Sequence, residues 1–224
     1  MKLKTPVLII NFKTYKESTG KNALKLARIC ESVSKKTGKS VAVAVSPIDL
    51  KEISSKVNIP VFAQHLDGVE YGANTGHMVP DSVLEIGVFG SLLNHSEDKY
   101  EFDDLKKASE KMKSLKMIRV ICAGTPIEAG KIASLYPEFI AIEPPELIGG
   151  KVSVSTAKPE VITDTVNLVK KVDKNIKVLC GAGVNSKEDV KIALKLGAKG
   201  ILIASAVVKA KNPRYVIEEL LSAF

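Results

Sequence analysis

The chain reads as a single-domain α/β protein, a closed (β/α)8 barrel, and three observations predict that fold. Short β-rich apolar runs alternate with longer helical patterns eight times along 224 residues, a length that one closed barrel fits. The strands are near-continuously apolar rather than alternating, as parallel strands covered on both faces are. No Pro/Gly/Ser-rich linker separates two halves, so residues 1–224 form one expected domain. The competing architecture is an open doubly wound sheet, but neither Gly-x-Gly-x-x-Gly nor a Walker sequence follows the first strand.

The elements follow in order. The first strand, Val7 to Phe12, leads to a helix over about Lys21 to Lys36, where Leu24, Ala27, Cys30 and Ser34 keep helical spacing. Val41 to Val45 and the helix Asp49 to Lys56 form the second unit. The third pairs Val61 to Gln64 with Asp81 to Glu85 across a glycine-containing loop, and the fourth pairs Gly87 to Leu93 with Phe102 to Leu115. Met117 to Ala123 precedes Pro126 to Ser134. Phe139 to Ile142 precedes Pro159 to Lys171, where Val161, Thr165, Leu168 and Val172 share a face. Lys177 to Cys180 with Lys187 to Leu196, then Gly200 to Ile203 with Pro213 to Ser222, complete eight units.

Composition narrows the function classes. Hydrophobic residues make up 45% and charged residues 26%, ordinary for a globular protein. No apolar run approaches the ~20 residues of a membrane span, and the N-terminus enters a strand without a signal-peptide pattern. No membrane partner and a cytoplasmic location are therefore expected. The three cysteines, Cys30, Cys122 and Cys180, are far apart and lack metal-ligand spacing, so they read as reduced and buried. The net charge is +8, yet only three of the 33 basic residues are arginine and aromatics are 5% with no tryptophan. Nucleic-acid surfaces more often cluster arginine and lysine with stacking aromatics, so no nucleic-acid partner is expected. The charge suits a solvated surface that attracts an anionic substrate.

In such a barrel chemistry gathers where strands end. Those ends carry Asn11-Phe12-Lys13, Gln64-His65, Asn94-His95-Ser96-Glu97, Glu143, Cys180-Gly181-Ala182-Gly183 and Ile203-Ala204-Ser205. Each residue has an unremarkable alternative: Lys13 as one of many surface lysines, His95 as a core histidine, Ala204-Ser205 as a cap for the last helix. Together, one Lys, one His and one Glu on a single rim form a proton-transfer set. The small residues ending strands 7 and 8 suit a phosphate held by backbone N–H groups. Glu143-Pro144-Pro145-Glu146-Leu147-Ile148-Gly149-Gly150-Lys151 reads as a base followed by a hinged lid over about 144–151. The set points to proton abstraction beside a carbonyl of a small sugar phosphate.

These residues resemble the triosephosphate isomerase family, and its compact archaeal branch in particular. The matches are Asn11-Phe12-Lys13, Ala63-Gln64, Gly72 to Gly76, Asn94 to Glu97, Glu143-Pro144, Ile148-Gly149, Gly181 and Gly200 to Ala206, in the family's order. The resemblance implies that Glu143 is the general base and His95 the electrophile, with a neutral imidazole of which this family is the standard example. It makes Lys13 the electrostatic stabiliser, partnered by Glu97, and assigns substrate binding to Asn11, Lys13, Ile148, Gly149, Gly183, Ala204 and Ser205. Acids at 97, 98, 101, 103 and 104 are expected to open a helix directly behind His95. Thr75 would reach a neighbouring subunit near Asn11 and Lys13, making the protein a homo-oligomer, at least a dimer and plausibly a tetramer. No metal or organic cofactor is implied.

The chain departs from the family where the lid closes. Pro-Pro-Glu stands for the usual Pro-Val-Trp, and Cys-Gly-Ala-Gly-Val for Tyr-Gly-Gly-Ser-Val. Two other classes compete with the isomerase reading. Phosphate-binding barrel lyases or transferases share the strand 7 and 8 grip but lack the Asn-x-Lys, His and Glu-Pro set. A nucleic-acid-binding protein would rest on charge alone.

Overall fold

The computed structural model describes residues 3–147 and 153–224. Eight parallel strands, β1 Val7–Asn11, β2 Ser40–Val45, β3 Val61–Ala63, β4 Gly90–Leu93, β5 Ile118–Ala123, β6 Phe139–Ile142, β7 Lys177–Cys180 and β8 Gly200–Ile203, pair in sequence order. The barrel closes where Val7 to Ile10 of β1 register with Gly200 to Ile203 of β8. The (β/α)8 barrel expected from the sequence is the fold observed.

The principal outer helices are α1 Lys21–Thr37, α2 Leu50–Lys56, α3 Pro80–Glu85, α4 Phe102–Ser114, α5 Pro126–Ala133, α7 Pro159–Val172, α8 Lys187–Lys195 and α10 Pro213–Leu221. Their starts follow local chemistry. Thr125 accepts the Glu128 N–H ahead of α5, Ser186 and Asp189 form a capping box on α8, and Asn212 accepts the Tyr215 N–H at α10. Two further helices, α6 Val154–Ala157 and α9 Ser205–Val208, follow β6 and β8. Each is about one turn, too short to leave a periodic signal. Ala204 and Ser205 therefore open α9, while the last helix is capped by Asn212.

Two cores hold the barrel. One lies between strands and helices and includes Leu8, Ile10, Val43, Ile121, Ile142 and Ile201. The other fills the barrel interior with Val7, Ile9, Ala44, Phe62, Leu92, Val120, Cys122, Phe139, Ala141, Leu179 and Leu202. The strands are apolar on both faces because each face has its own core. Gly90 on β4 shows how tightly the inner layer is drawn: a Cβ there would lie 2.1 Å from the Ile118 carbonyl oxygen and 2.8 Å from the Phe62 ring.

The period of two within this interior aims the site. Val7 and Ile9 point inward on β1, so Asn11 follows them at the mouth. The same parity carries Phe62 to Gln64, Phe139 and Ala141 to Glu143, Leu179 to Gly181, and Leu202 to Ala204. Polar groups from several strands thereby converge at one end of a packed barrel.

Candidate active site

A cleft at that end encloses about 490 Å³ of non-atom space, part of it open to solvent. Asn11, Lys13, His95, Glu143, Gly183, Ala204 and Ser205 all line it, together with Tyr15, Gly181 and Asn185. Seven of the residues singled out from the sequence thus meet in one place. Thr75 does not: it is exposed on the loop between β3 and α3. Ile148 and Gly149, and with them the far end of the expected lid, lie outside the described residues.

Glu143 is the buried centre of the cleft. Its backbone N–H donates to the Ala123 carbonyl at 2.8 Å, continuing the β5–β6 ladder by one residue and fixing where the side chain leaves the sheet. The residue is 5% exposed, and Oε2 makes no hydrogen bond among the described residues. Burial pushes the carboxyl above its ordinary value, partly opposed by His95, the Cys122 thiol and Lys13. Gly181 makes the space: a Cβ at that position would sit 2.3 Å from Glu143 Cγ.

His95 approaches from β4, and here strand parity is overridden. Leu92 points inward, so Asn94 is due inward next; instead Asn94 takes a left-handed conformation, φ 57°. Its side chain turns aside to donate to the Cys122 carbonyl at 2.9 Å and to Glu128 at 3.1 Å, and accepts the Tyr100 N–H at 3.3 Å. Asparagine tolerates this region better than most residues. The reversal delivers His95 to the cleft.

The helix expected behind His95 is α4, which begins at Phe102 with Asp103 and Asp104 in its first turn. Before it Ser96 and Glu97 turn the chain, closed by the antiparallel bridge between His95 and Asp98, so the acids at 97 and 98 stand ahead of the helix rather than in it. That turn supplies its own donor: the Glu97 N–H donates to His95 Nδ1 at 3.2 Å. With Nδ1 occupied as an acceptor, Nε2 carries the ring proton. Nε2 lies 3.8 Å from Glu143 Oε2.

Lys13 adopts φ 48°, and its backbone N–H donates to Asn11 Oδ1 at 3.0 Å. Its ammonium bonds Glu97 Oε1 at 2.6 Å, the partnership expected from the sequence. Gln64, which sequence reasoning placed at a strand end without a role, ties this corner together. Its amide nitrogen donates to Asn11 Oδ1, the Lys13 carbonyl and the Ala44 carbonyl at 3.1 to 3.3 Å. Tyr15 was also missed, because an aromatic in a loop carries no distinguishing signal. The Lys209 ammonium sits 4.2 Å from its ring centroid.

On the opposite wall the backbone takes over. Gly183 has φ 68° after β7, and Ala204-Ser205 opens α9 after β8. Short side chains line this wall, the setting in which barrels of this type hold an anion on backbone N–H groups. Among the described residues no group of three or more His, Cys, Asp and Glu is arranged to hold a metal ion, and no helix is long and apolar enough to cross a membrane. All three cysteines are free and buried.

A parallel barrel whose mouth sets a desolvated carboxylate, an imidazole N–H and an ammonium beside a small-residue wall has the groups that a barrel enzyme of proton transfer needs. Comparison with known proteins narrows this. The family model for triosephosphate isomerase matches residues 6–222, and the chain belongs to that family. It is 47% identical to the triosephosphate isomerase of Methanothermus fervidus, covering 97% of this chain and 98% of that protein. It is 45% identical to those of Methanothermobacter thermautotrophicus and Methanocaldococcus jannaschii, covering 97% and 96% of this chain and 95% and 98% of theirs.

Proposed function

We propose that Glu143, His95 and Lys13 carry the interconversion of dihydroxyacetone phosphate and D-glyceraldehyde 3-phosphate in this chain, through an enediolate. Membership of the family makes the chain an intramolecular isomerase acting on triose phosphates. The observation that carries the residue assignment is Glu143 Oε2: buried, unpartnered among the described residues, and facing His95 Nε2 across 3.8 Å.

Glu143 removes a proton from the carbon beside the carbonyl and returns it to the neighbouring carbon. A carboxylate stripped of water is a stronger base than one in solution, and its raised pKa moves it toward the range where it both takes and gives back a proton. His95 donates its Nε2 hydrogen bond to the carbonyl oxygen as negative charge develops, and passes a proton between the two substrate oxygens. Lys13 stabilises the enediolate and the phosphate electrostatically, with Glu97 and Asn11 holding it in place. Two expected contacts of the phosphate, Ile148 and Gly149, lie outside the described residues; it rests on the backbone at Gly183 and Ala204-Ser205, in a cleft whose interior is the dry end of the barrel. Water is thereby kept from an intermediate that otherwise loses phosphate. The cycle requires no metal or organic cofactor, since every proton has a side chain to carry it.

The test is coupled turnover of glyceraldehyde 3-phosphate by the native protein and Glu143→Gln. Loss of a positioned base is expected to lower kcat by about 10³-fold or more. A variant that retains most of its turnover removes Glu143 from the mechanism.

The same reading places the enzyme in glycolysis and gluconeogenesis in the cytoplasm, as a homo-oligomer. What supports assembly is the loop between β3 and α3. Its base is clamped by Asp67 N–H to the Met78 carbonyl and Met78 N–H to Asp67 Oδ2, and by Lys111 to Glu70. Its tip nonetheless exposes Thr75 and Tyr71, the latter 59% exposed. A rigid projection of this kind is suited to insert into a second copy beside Asn11 and Lys13, with pairing of dimers into a tetramer as the larger assembly. A fully active monomer at micromolar concentration refutes it.

A further inference from the structure

The barrel carries a second concentration of positive charge away from the cleft, in the groove between α1 and α10. This shallow groove spans about 640 Å³ of non-atom space, much of it open to solvent, and is lined by Lys21, Leu24, Lys25, Arg28, Ile29 and Arg214. Four of its six lining residues are cationic and none is acidic. Lys21, Lys25 and Arg28 recur at i, i+4 and i+7, one face of α1, and Arg214 opposes them from the first turn of α10.

Some cations of this surface are neutralised, as Lys36 is by Glu218 at 2.9 Å, Lys56 by Glu52 and Lys99 by Glu128; those of the groove are not. Among the described residues, none of its four cations forms an ion pair. Glu31, three residues beyond Arg28, and Glu218, four beyond Arg214, are committed elsewhere, Glu218 to Lys36 and Glu31 to the backbone and side-chain amides of Asn58 at 2.7 and 2.9 Å.

Arginine usage sharpens the point. The chain has three arginines, and Arg119 is buried at the opposite end of the barrel from the cleft. The remaining two, Arg28 and Arg214, both stand in this groove. Arg214 Nη1 donates to Ser32 Oγ at 3.2 Å, which partly orients its guanidinium. Planar guanidinium groups match phosphate oxygens two at a time, which lysine does not do. Leu24 and Ile29 give the groove an apolar floor, and the Tyr215 ring, 61% exposed, adjoins Arg214 in the chain.

We infer that the α1–α10 groove binds a small molecule carrying two or more linked phosphates, with the nucleoside polyphosphates as its class. Two guanidinium groups and two ammonium groups match the charge of a phosphate chain, and the apolar floor accepts a base. The inference rests on none of the catalytic assignments.

Titration calorimetry of the whole protein with inorganic tripolyphosphate and with ATP tests it. One site per chain is expected for each ligand. Equal affinities assign recognition to the phosphate chain, and tighter ATP adds a contribution from Leu24 and Ile29. The double variant Arg28→Gln/Arg214→Gln is expected to weaken binding by at least tenfold, since two charge-assisted phosphate contacts are lost. Arg28→Lys/Arg214→Lys, which keeps the charge but not the fork, is expected to fall between. Lys170→Gln/Lys174→Gln, an equal charge change on another face, changes affinity less than twofold. Lys13→Ala retains the site, which separates it from the cleft.

Absence of binding overturns the inference. So does an equal loss in the two glutamine variants, which reports diffuse charge, and so does loss in Lys13→Ala, which reports occupancy of the cleft. An oligonucleotide that displaces ATP and binds more tightly than tripolyphosphate overturns it in favour of a nucleic-acid surface. Both arginines are exposed; retained turnover by the arginine and Lys170/Lys174 variants reports that they are folded, and an unchanged melting temperature does so for Lys13→Ala.

Discussion

Replacing Gly181 by alanine isolates the packing that aims the base. The new Cβ would lie 2.3 Å from Glu143 Cγ, and 3.0 Å from both its Cδ and Oε1. Ordinary contact begins near 3.4 Å, so Cγ must retreat by about 1.1 Å or the β7 backbone must yield. The strand is held by the Gly181 N–H to the Ile142 carbonyl at 3.0 Å, so the side chain gives way first. A misplacement of about 1 Å at a reacting group costs on the order of 10²-fold in rate, and that is the expected fall in kcat. Overpacking of this kind costs about 1–3 kcal/mol of stability, a tolerable loss, so the variant remains folded. The assay is steady-state turnover together with thermal unfolding. Gly130→Ala is the control, since its Cβ meets only Leu168 Cβ at 3.8 Å inside α5 and should leave kcat unchanged. If Gly181→Ala is folded and turns over within threefold of the native protein, Gly181 does not position Glu143 and the geometric account of the base is refuted.

Two further outcomes follow from the same interior. Burial raises the Glu143 pKa above 4.5, so the folded state holds this proton more tightly than the unfolded state does. Ionising it therefore destabilises the fold as pH rises through the raised pKa. Glu143→Gln should melt higher than the native protein at pH 7.5, with the gain shrinking as pH falls toward 4; a pH-independent difference in Tm contradicts the assignment. Arg119 spends all five of its guanidinium hydrogens on Glu138, Ser109 and the Leu135 and Tyr136 carbonyls, at 2.7 to 3.2 Å. Arg119→Met strands a carboxylate and two carbonyls, at a cost of about 3–5 kcal/mol, read as a drop in Tm of roughly 6–20 °C. KM should stay constant, because Arg119 lies at the end of the barrel opposite the cleft.

The eight strands were legible because both faces of a parallel barrel strand are buried, which leaves unbroken apolar runs in the sequence. Their ends were less so. The fourth strand, expected from Gly87, begins at Gly90; Phe89 is apolar but only packs at the edge of the inner core. The trio proposed to carry the chemistry was legible because Lys, His and Glu are conspicuous at the ends of apolar runs. The residues that hold the trio in place were not, since their signal is geometric. Gly181 matters for the atoms it omits, Gln64 for three carbonyl-type acceptors drawn from two other strands, and Asn94 for a backbone reversal. Counting by twos from Leu92 brings Asn94 into the cleft. The left-handed turn hands that place to His95, and nothing in a single sequence announces such a reversal.

The rim concentrates features that are unfavourable one by one. Lys13 and Asn94 hold φ of 48° and 57°, a region that costs a residue such as lysine about 1–2 kcal/mol and asparagine less. Glu143 adds a buried oxygen with no partner among the described residues, a further loss of about 1–3 kcal/mol. The three are linked by more than proximity. The Asn94 turn presents His95 to Glu143, and the Lys13 turn brings its ammonium to Glu97, whose backbone N–H fixes the His95 ring. The barrel below, with its two apolar cores, supplies the rigidity that keeps these unfavourable arrangements in register, so that the carboxylate is held dry and aimed into the cleft.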